Sequence, residues 1–87
     1  MELDTNKIDD AVLALLYLGL HDGVRAWKGF DWDAMDRLHQ KGYISDPRSK
    51  AKSVVFSDEG LERSERLLEE LFGKRPEAGA GADRGGG

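Results

Sequence analysis

The C-terminal fifteen residues, GKRPEAGAGADRGGG from Gly73 onward, restrict what this chain can fold into more than any other feature. They include six of the eleven glycines and one of the two prolines, and no apolar side chain larger than alanine. A segment of this composition cannot bury enough apolar surface to offset the entropy lost on folding. The sequence therefore predicts one domain over residues 1–72 and a disordered Gly/Ala-rich tail over residues 73–87.

The small size of this domain excludes several classes of protein. A chain of about 70 residues buries roughly 60% of its unfolded surface, which leaves little room for a deep active-site cleft. The absence of cysteine excludes a disulfide framework, a thiolate nucleophile and a cysteine zinc site. The acidic start, MELDTNKIDD, is unlike a signal peptide, and the apolar run after it is about half the length of a membrane helix. We expect a cytoplasmic protein without membrane contact.

Three stretches of the chain have the sequence pattern of helices. Apolar residues recur at helical spacing along residues 8–20, residues 31–41 and residues 57–72. Gly42 provides a stop signal for the second stretch. Each stretch has a side chain that can cap its N-terminus: Thr5 or Asn6 for the first, Asp31 for the second and Ser57 for the third.

The apolar residues of the last helix predict how it packs. We expect a buried stripe made of Leu61, Leu68, Leu71 and Phe72. Leu67 lies off the centre of this stripe, and we consider it a candidate contact with a second subunit. Because so small a domain is only marginally stable alone, a homodimer through the first and last helices would add to its core.

The segments between the helices are less regular. VRAWK, between Gly23 and Gly29, fits a short helix of one or two turns or an ordered loop. After Gly42, the runs YIS and SVVF are separated by the Pro-containing loop DPRSKAK and predict a β-hairpin. In a domain this small each tryptophan is expected to be a core or staple residue, with Phe30 and Trp32 able to staple the second helix onto the first.

The order helix, short helix or turn, helix, hairpin, helix is that of a winged helix-turn-helix. The stretch FDWDAMDRLHQKGYISDPRSKAKSVVFSDEGLERSERLL, from Phe30 to Leu68, resembles PadR-like and MarR-like winged-helix regulators. The resemblance implies a mainly α fold with a small β-hairpin and a role in DNA binding and transcription regulation. The elements that carry it are Leu38, the KGYI turn at residues 41–44, the basic wing at 48–52, the strand at 54–56 and SDEG at 57–60.

A second resemblance covers nearly all of the predicted domain. Residues 8–72, with LHDGVRAWKGFDWD in the middle, are similar to a family of small bacterial proteins known as a domain of unknown function. This resemblance implies a fold and no activity. The segment RAWKGFDW, from Arg25 to Trp32, is absent from the general winged-helix pattern, so we expect it to carry what distinguishes the family.

Charge is unevenly distributed along the chain, whose formal net charge is −4. Residues 1–22 contain five acidic side chains against one lysine, and residues 58–70 contain six against two arginines. Residues 25–52 contain seven basic side chains against four aspartates. Since DNA binding needs cations opposite phosphates, only this middle segment is suited to it, and it is the part that a winged helix presents to double-stranded DNA.

Two sets of candidate site residues follow, one for each class of macromolecular partner. For double-stranded DNA, the second helix would present Arg37, Gln40 and Lys41 to the major groove. The wing would contact phosphate through Arg48, Lys50 and Lys52. The acidic start of that helix opposes this, because carboxylates repel phosphates. The alternative is a protein-binding adaptor or inhibitor, for example of a phage or defence system, that uses Arg25, Trp27, Lys28, Trp32, Asp33 and Asp36.

The sequence contains no motif for catalysis, a cofactor or a metal. His21 and Asp22 are adjacent along the chain, which does not by itself pair their side chains, and His39 lies on another element. A site made of these three residues would require the fold to bring them together. We therefore expect a protein that is not an enzyme and needs no cofactor.

Overall fold

The structure is a computed structural model that describes residues 1–74. Nearly all of the tail predicted from Gly73 onward lies outside these residues. Helix α1 spans Thr5–Leu18 and begins after Asp4, whose carboxylate accepts hydrogen bonds from the backbone N–H groups of Asn6 and Lys7 at 3.0 and 3.2 Å. Asp4 is thus the cap, and the assignment of that role to Thr5 or Asn6 was wrong by one or two residues.

A β-hairpin follows α1 where the sequence indicated a short helix or an ordered loop. Strand β1 spans Leu20–His21 and strand β2 spans Arg25–Trp27, and the two pair antiparallel. Asp22 and Gly23 both have positive φ, 55° and 85°, which turns the chain back on itself. Asp-Gly is a common hairpin turn sequence for this reason, so the signal was present in the sequence.

The second helix follows the sequence prediction closely. Helix α2 spans Trp32–Gln40, and the Asp31 carboxylate accepts a hydrogen bond from the backbone N–H of Ala34 at 3.1 Å. Gly42, two residues after the end of α2, has a φ of 83°, a left-handed conformation that stops the helix from continuing, as expected. The side of α2 that faces the core consists of Ala34, Met35 and Leu38.

The predicted pairing of YIS with SVVF is present over a short stretch, and the longer ladder of the second run is formed with β2. Strand β3 spans Ser53–Val55 and pairs antiparallel with β2, which gives a three-stranded sheet in the order β1-β2-β3. The YIS segment contributes one bridge, between Ile44 and Phe56, and two backbone hydrogen bonds that flank it. Ser45 N–H donates to the Val55 carbonyl at 2.9 Å, and Ser57 N–H donates to the Tyr43 carbonyl at 3.0 Å. The ladder ends there, before the buried Pro47, which has no N–H to donate.

The last helix is rotated relative to the prediction. Helix α3 spans Asp58–Phe72, and the Ser57 hydroxyl accepts a hydrogen bond from Gly60 N–H at 3.0 Å, as its capping role requires. Leu67 is only 7% exposed, so its assignment to a subunit contact was wrong. Leu71 and Phe72 are 49% and 53% exposed, so their assignment to the buried stripe was also wrong. The residues that α3 buries most deeply are Gly60, Ser64 and Leu67.

The resulting fold is α+β, with three helices and a small antiparallel sheet in the described residues. Trp27 and Trp32 are 57% and 52% exposed, so the expectation that they lie in the core was wrong. The sheet contributes small or β-branched side chains instead, Ala26 and Val54, which face each other across β2 and β3. The core consists of Val12, Leu13, Ala14, Leu16, Ala26, Ala34, Met35, Leu38, Ile44, Val54, Phe56 and Leu67.

Candidate functional site

Two of the residues predicted to approach the DNA major groove are bound to α1 instead. Arg37 Nε lies 2.9 and 2.8 Å from the two carboxylate oxygens of Asp9, and Lys41 Nζ lies 3.0 Å from one of them. Asp9 is fully buried. Burial alone would raise the pKa of Asp9, but the hydrogen bonds and charges of the two cations outweigh it and lower that pKa below its ordinary value. Arg37 and Lys41 thus join α2 to α1.

The wing residue Arg48 is also paired, with a residue of the alternative set. Its guanidinium makes a two-pronged contact with Asp36 on α2, with distances of 3.2 Å from Nε and 2.7 Å from Nη2. The same guanidinium lies 5.1 Å from the ring centre of Trp32. Hydrogen bonding by Arg48 lowers the pKa of Asp36. The structure therefore brings together residues that the sequence assigned to two different partners.

Lys28 completes this cluster from the end of the sheet. Its Nζ donates hydrogen bonds to the backbone carbonyls of Pro47 and Ser49, at 2.6 and 2.8 Å, and lies 6.0 Å from the Trp32 ring centre. Lys28 thus fastens the loop that carries Arg48 against the start of α2. We refer to Lys28, Trp32, Asp36 and Arg48 as the Trp32 cluster.

The exposed side of α2 beside this cluster is acidic. Asp33 is exposed, and its charge contributes to raising the pKa of Arg48, after the larger effect of the hydrogen bond from Arg48 to Asp36. Gln40, the third residue predicted for the major groove, is exposed at the other end of the helix. The solvent side of α2 therefore offers an aromatic ring and two carboxylates where a DNA reader would offer cations.

Most cations of the basic middle segment are already engaged. Arg37, Lys41 and Arg48 pair with carboxylates as described, and Arg25 lies 3.9 Å from Asp22. Within the described residues, no side-chain partner is found for Lys50 or Lys52, and both are exposed. The positive charge available to a polyanion is thus smaller than the seven basic side chains of the sequence indicate.

The outer face of the sheet carries Trp27 and Arg25. The Trp27 ring stacks on His21, with ring centres 4.1 Å apart and an angle of 22° between the planes. His21 Nε2 lies 3.0 Å from the Ser53 hydroxyl, a contact that the sequence analysis did not anticipate. β1, β2 and β3 each contribute one of these three side chains, so only the strand pairing places them together.

The structure does not bring together the three residues considered for a metal or catalytic site. His39 Nδ1 lies 3.0 Å from the Ile44 carbonyl, whereas His21 contacts Ser53 and Trp27 on the sheet. Over residues 1–74, no group of three or more potential metal ligands is found.

One important charged residue, Asp9, could have been found from the sequence. Asp9 shares its helix face with Val12, Leu13 and Leu16, at the spacing i, i+3, i+4 and i+7, so it falls on the buried side. A buried carboxylate requires a cationic partner. The pattern thus indicated an ion pair between α1 and another element, although not which cations supply it.

Comparison with known proteins gives a family and no activity. The chain is 62% identical over 72 residues to the "Uncharacterized protein y4hR" of Sinorhizobium fredii (strain NBRC 101917 / NGR234), an alignment that covers 83% of this chain and 97% of the relative. No solved structure matches. In the described part of the chain, none of the helices has the length and apolar character needed to cross a membrane. Residues 4–74 match the family described as "Domain of unknown function (DUF6429)", and the chain belongs to that family.

Proposed function

We propose that the protein is a small protein-binding module, an adaptor or inhibitor, that contacts its partner through the Trp32 cluster and the acidic side of α2. The observation that carries this proposal is the state of Trp32, which is 52% exposed yet held beside two cations at the start of a helix. A large aromatic side chain at the surface costs little entropy to bury further when it is already fixed. Such residues dominate the binding energy of protein interfaces.

The charges around Trp32 favour a protein over DNA as the partner. Asp33 and Asp36 lie on the same helix as Trp32, and Arg48 neutralises only one of them directly. Arg37 and Lys41, which would have to attract phosphates, are bound to the buried Asp9. A partner with a basic or hydrogen-bonding surface complements this arrangement better than a polyanion does.

The winged-helix relationship is part of the proposal. The order of α2, the loop at residues 46–52, β3 and α3 supports a fold derived from a winged helix. The β1–β2 hairpin occupies the position of the first helix of a helix-turn-helix, so the support comes from the second half of the chain. A winged helix that has lost that helix keeps a framework suited to protein contacts.

Binding of double-stranded DNA in bacterial transcription regulation is the second candidate function. It is favoured by Lys50 and Lys52, which are exposed in the loop at residues 46–52. Two free lysines and a partly exposed Arg48 suit a wing that contacts phosphate. Neither candidate assigns a catalytic residue or a cofactor, and both place the protein in the cytoplasm.

Two experiments on four versions of the protein test the two candidates. Affinity capture from the source cell, with chemical crosslinking, would compare the wild type with Trp32→Ala and with the control Trp27→Ala, which removes an equally exposed tryptophan outside the cluster. A gel shift on mixed duplex DNA at low salt would compare the wild type with Trp32→Ala and with the double variant Lys50→Ala/Lys52→Ala.

The outcomes separate the two candidates. We expect Trp32→Ala to lose a partner that Trp27→Ala retains, and we expect no DNA binding at micromolar protein. Recovery of the same partners by both tryptophan variants would overturn the protein-binding proposal. DNA binding that is lost in the lysine double variant and kept in Trp32→Ala would establish the second candidate in its place.

A further inference from the structure

A groove lies between the C-terminal ends of α1 and α3, and it shares no residue with the Trp32 cluster. Its volume is about 740 Å³. Leu18 and Phe72, the last residues of the two helices, are 68% and 53% exposed at its walls. The groove is lined by Tyr17, Leu18, Glu62, Glu65, Arg66, Leu68, Glu69, Phe72 and Gly73.

Two independent features make this groove electrically negative. Its lining includes three glutamates, Glu62, Glu65 and Glu69, against one arginine, Arg66. Both helices also end here, and neither has a basic side chain in its last turn. No cation within the last turn therefore offsets the partial negative charge of either helix C-terminus, although Lys74 follows α3 by two residues. A bound segment with positive charges beside an apolar stripe would complement the glutamates as well as Leu18 and Phe72.

The segments of this chain do not provide such an occupant. Apart from Pro76, the sequence from residue 75 to residue 87 contains no apolar side chain larger than alanine, so it lacks the large apolar residues that would fill the groove. The loop at residues 48–52, RSKAK, is basic but likewise has no large apolar residue. A second copy joined through the same face would bring the glutamates of both grooves together, which opposes association.

We propose that the groove between α1 and α3 binds a cationic amphipathic segment of another protein, with apolar side chains against Leu18 and Phe72 and lysine or arginine against the glutamates. An amphipathic helix presents this pattern, with anchors three or four residues apart on one side and charges beside them. The proposal is independent of the role of the Trp32 cluster. It adds a second contact surface at the C-terminal ends of α1 and α3, whereas the cluster lies at the start of α2.

A labelled peptide provides the test. The probe is an 18-residue amphipathic helix of leucine and lysine, with a second peptide in which every lysine is replaced by glutamate and a third in which the leucines are scrambled. Binding to the full chain is followed by fluorescence anisotropy at low salt. We expect the leucine–lysine helix to bind more tightly than either of the other two.

Matched variants locate the binding. Glu62→Gln/Glu69→Gln removes two charges from the groove, and Glu2→Gln/Glu70→Gln removes two exposed charges elsewhere. We expect the groove double variant to weaken binding about fivefold to tenfold and its control to have less than about a twofold effect. Phe72→Ala should weaken binding about tenfold, whereas Leu3→Ala, at a residue 61% exposed outside the groove, should not.

Three results would overturn the proposal. Equal weakening by the two double variants would show that the peptide is attracted to the negative charge of the whole protein and not to the groove. Equal affinity for the leucine–lysine and leucine–glutamate peptides would remove the argument from charge. A dimer in light scattering that Phe72→Ala dissociates would show that a second copy occupies the groove. None of these results bears on the capture experiment with Trp32→Ala, so the two proposals can fail separately.

Discussion

The Asp9 carboxylate on α1 and the Arg37 guanidinium on α2 form a buried ion pair, with Nη2 of Arg37 2.7 Å from Oδ1 of Asp9. Asp9 is 0% exposed, whereas the Arg37 side chain is 30% exposed, so the buried carboxylate depends on its cationic partners in place of water. Lys41 adds a second cation from the end of the same helix. These ion pairs fix how α2 packs against α1. They engage Arg37 and Lys41, two of the residues that the sequence analysis assigned to DNA binding.

Substitution of Asp9 should destabilise the domain strongly. Asp9→Asn leaves two cations beside a buried amide, and breaking a buried ion pair costs about 3 kcal/mol. The free energy of unfolding, measured by urea denaturation, should fall by about that amount. Asp10→Asn is the control, because Asp10 is partly exposed and lies 3.5 Å from Arg63. Equal losses in the two variants would contradict a special role for Asp9.

The same pair predicts how stability depends on pH. Because the pKa of Asp9 in the folded state is lowered below the ordinary 3.8, its contribution is fully present above that value. It is lost as the pH falls through the lowered pKa, where the folded carboxylate takes up a proton. Urea denaturation between pH 2 and pH 6 should therefore show a decline below about pH 4 that is shallower in Asp9→Asn. Parallel curves for the two proteins would refute this.

Gly60 should not tolerate a side chain. A Cβ at this position would overlap the carbonyl oxygen of Tyr43 and lie 2.7 Å from its carbonyl carbon. Glycine to alanine within a helix usually stabilises by about 1 kcal/mol, but here we expect Gly60→Ala to destabilise by about 2 kcal/mol. Gly29→Ala, where the added Cβ meets nothing within 4 Å, is the control and should be nearly neutral. A stabilised Gly60→Ala in thermal unfolding would disprove the close approach.

The phenol of Tyr17 should report on the wall of the α1–α3 groove. Its hydroxyl donates a hydrogen bond to Glu65 Oε2 at 3.3 Å, and the negative charge of Glu65 raises the pKa of Tyr17 above its ordinary value. Glu65→Gln removes that charge, so we expect the Tyr17 pKa to fall. Alkaline titration of tyrosine absorbance, in a Tyr43→Phe background, measures this. An unchanged titration would place Glu65 away from Tyr17 in solution.

Lys28 should control the order of the loop at residues 46–52. Lys28→Met keeps the length of the side chain and removes the donor to the carbonyls of Pro47 and Ser49. We expect faster amide hydrogen exchange in this loop, while exchange in α1 is unchanged. The control Lys50→Met, at an exposed residue of the same loop, should leave the exchange as in the wild type. Equal exchange in all three proteins would show that Lys28 does not hold the loop.

The caps and turns could be predicted because they depend on neighbours along the chain. Asp31 and Ser57 cap their helices through N–H groups three residues away, and Gly42 takes the positive φ that ends its segment. The same local logic applies to Asp22 and Gly23, whose hairpin turn the sequence analysis overlooked. The segment from Arg25 to Trp32 stood outside the winged-helix pattern in the sequence analysis, and the strand that it contains, β2, depends on pairing with β1 and with the distant β3.

The candidate site could be predicted only in part. Trp32, Asp36 and Arg48 were each named from the sequence, but for two different functions. Their contact depends on the loop folding back onto α2, where Lys28 holds it through backbone carbonyls. Contacts of this kind have no periodicity or local spacing by which a sequence reveals them.

The sequence by itself determined the positions of α1, α2 and α3, the small size of the core and the uneven distribution of charge, because all of these depend on composition and on residues three or four apart. Tertiary structure alone decided which charges remain free and which apolar residues are buried. Arg37 faces Asp9, Leu67 faces the core and Phe72 faces solvent because α1, α2 and α3 pack in one particular rotation. That rotation is set by close approaches such as Gly60 to Tyr43, between residues far apart in the chain.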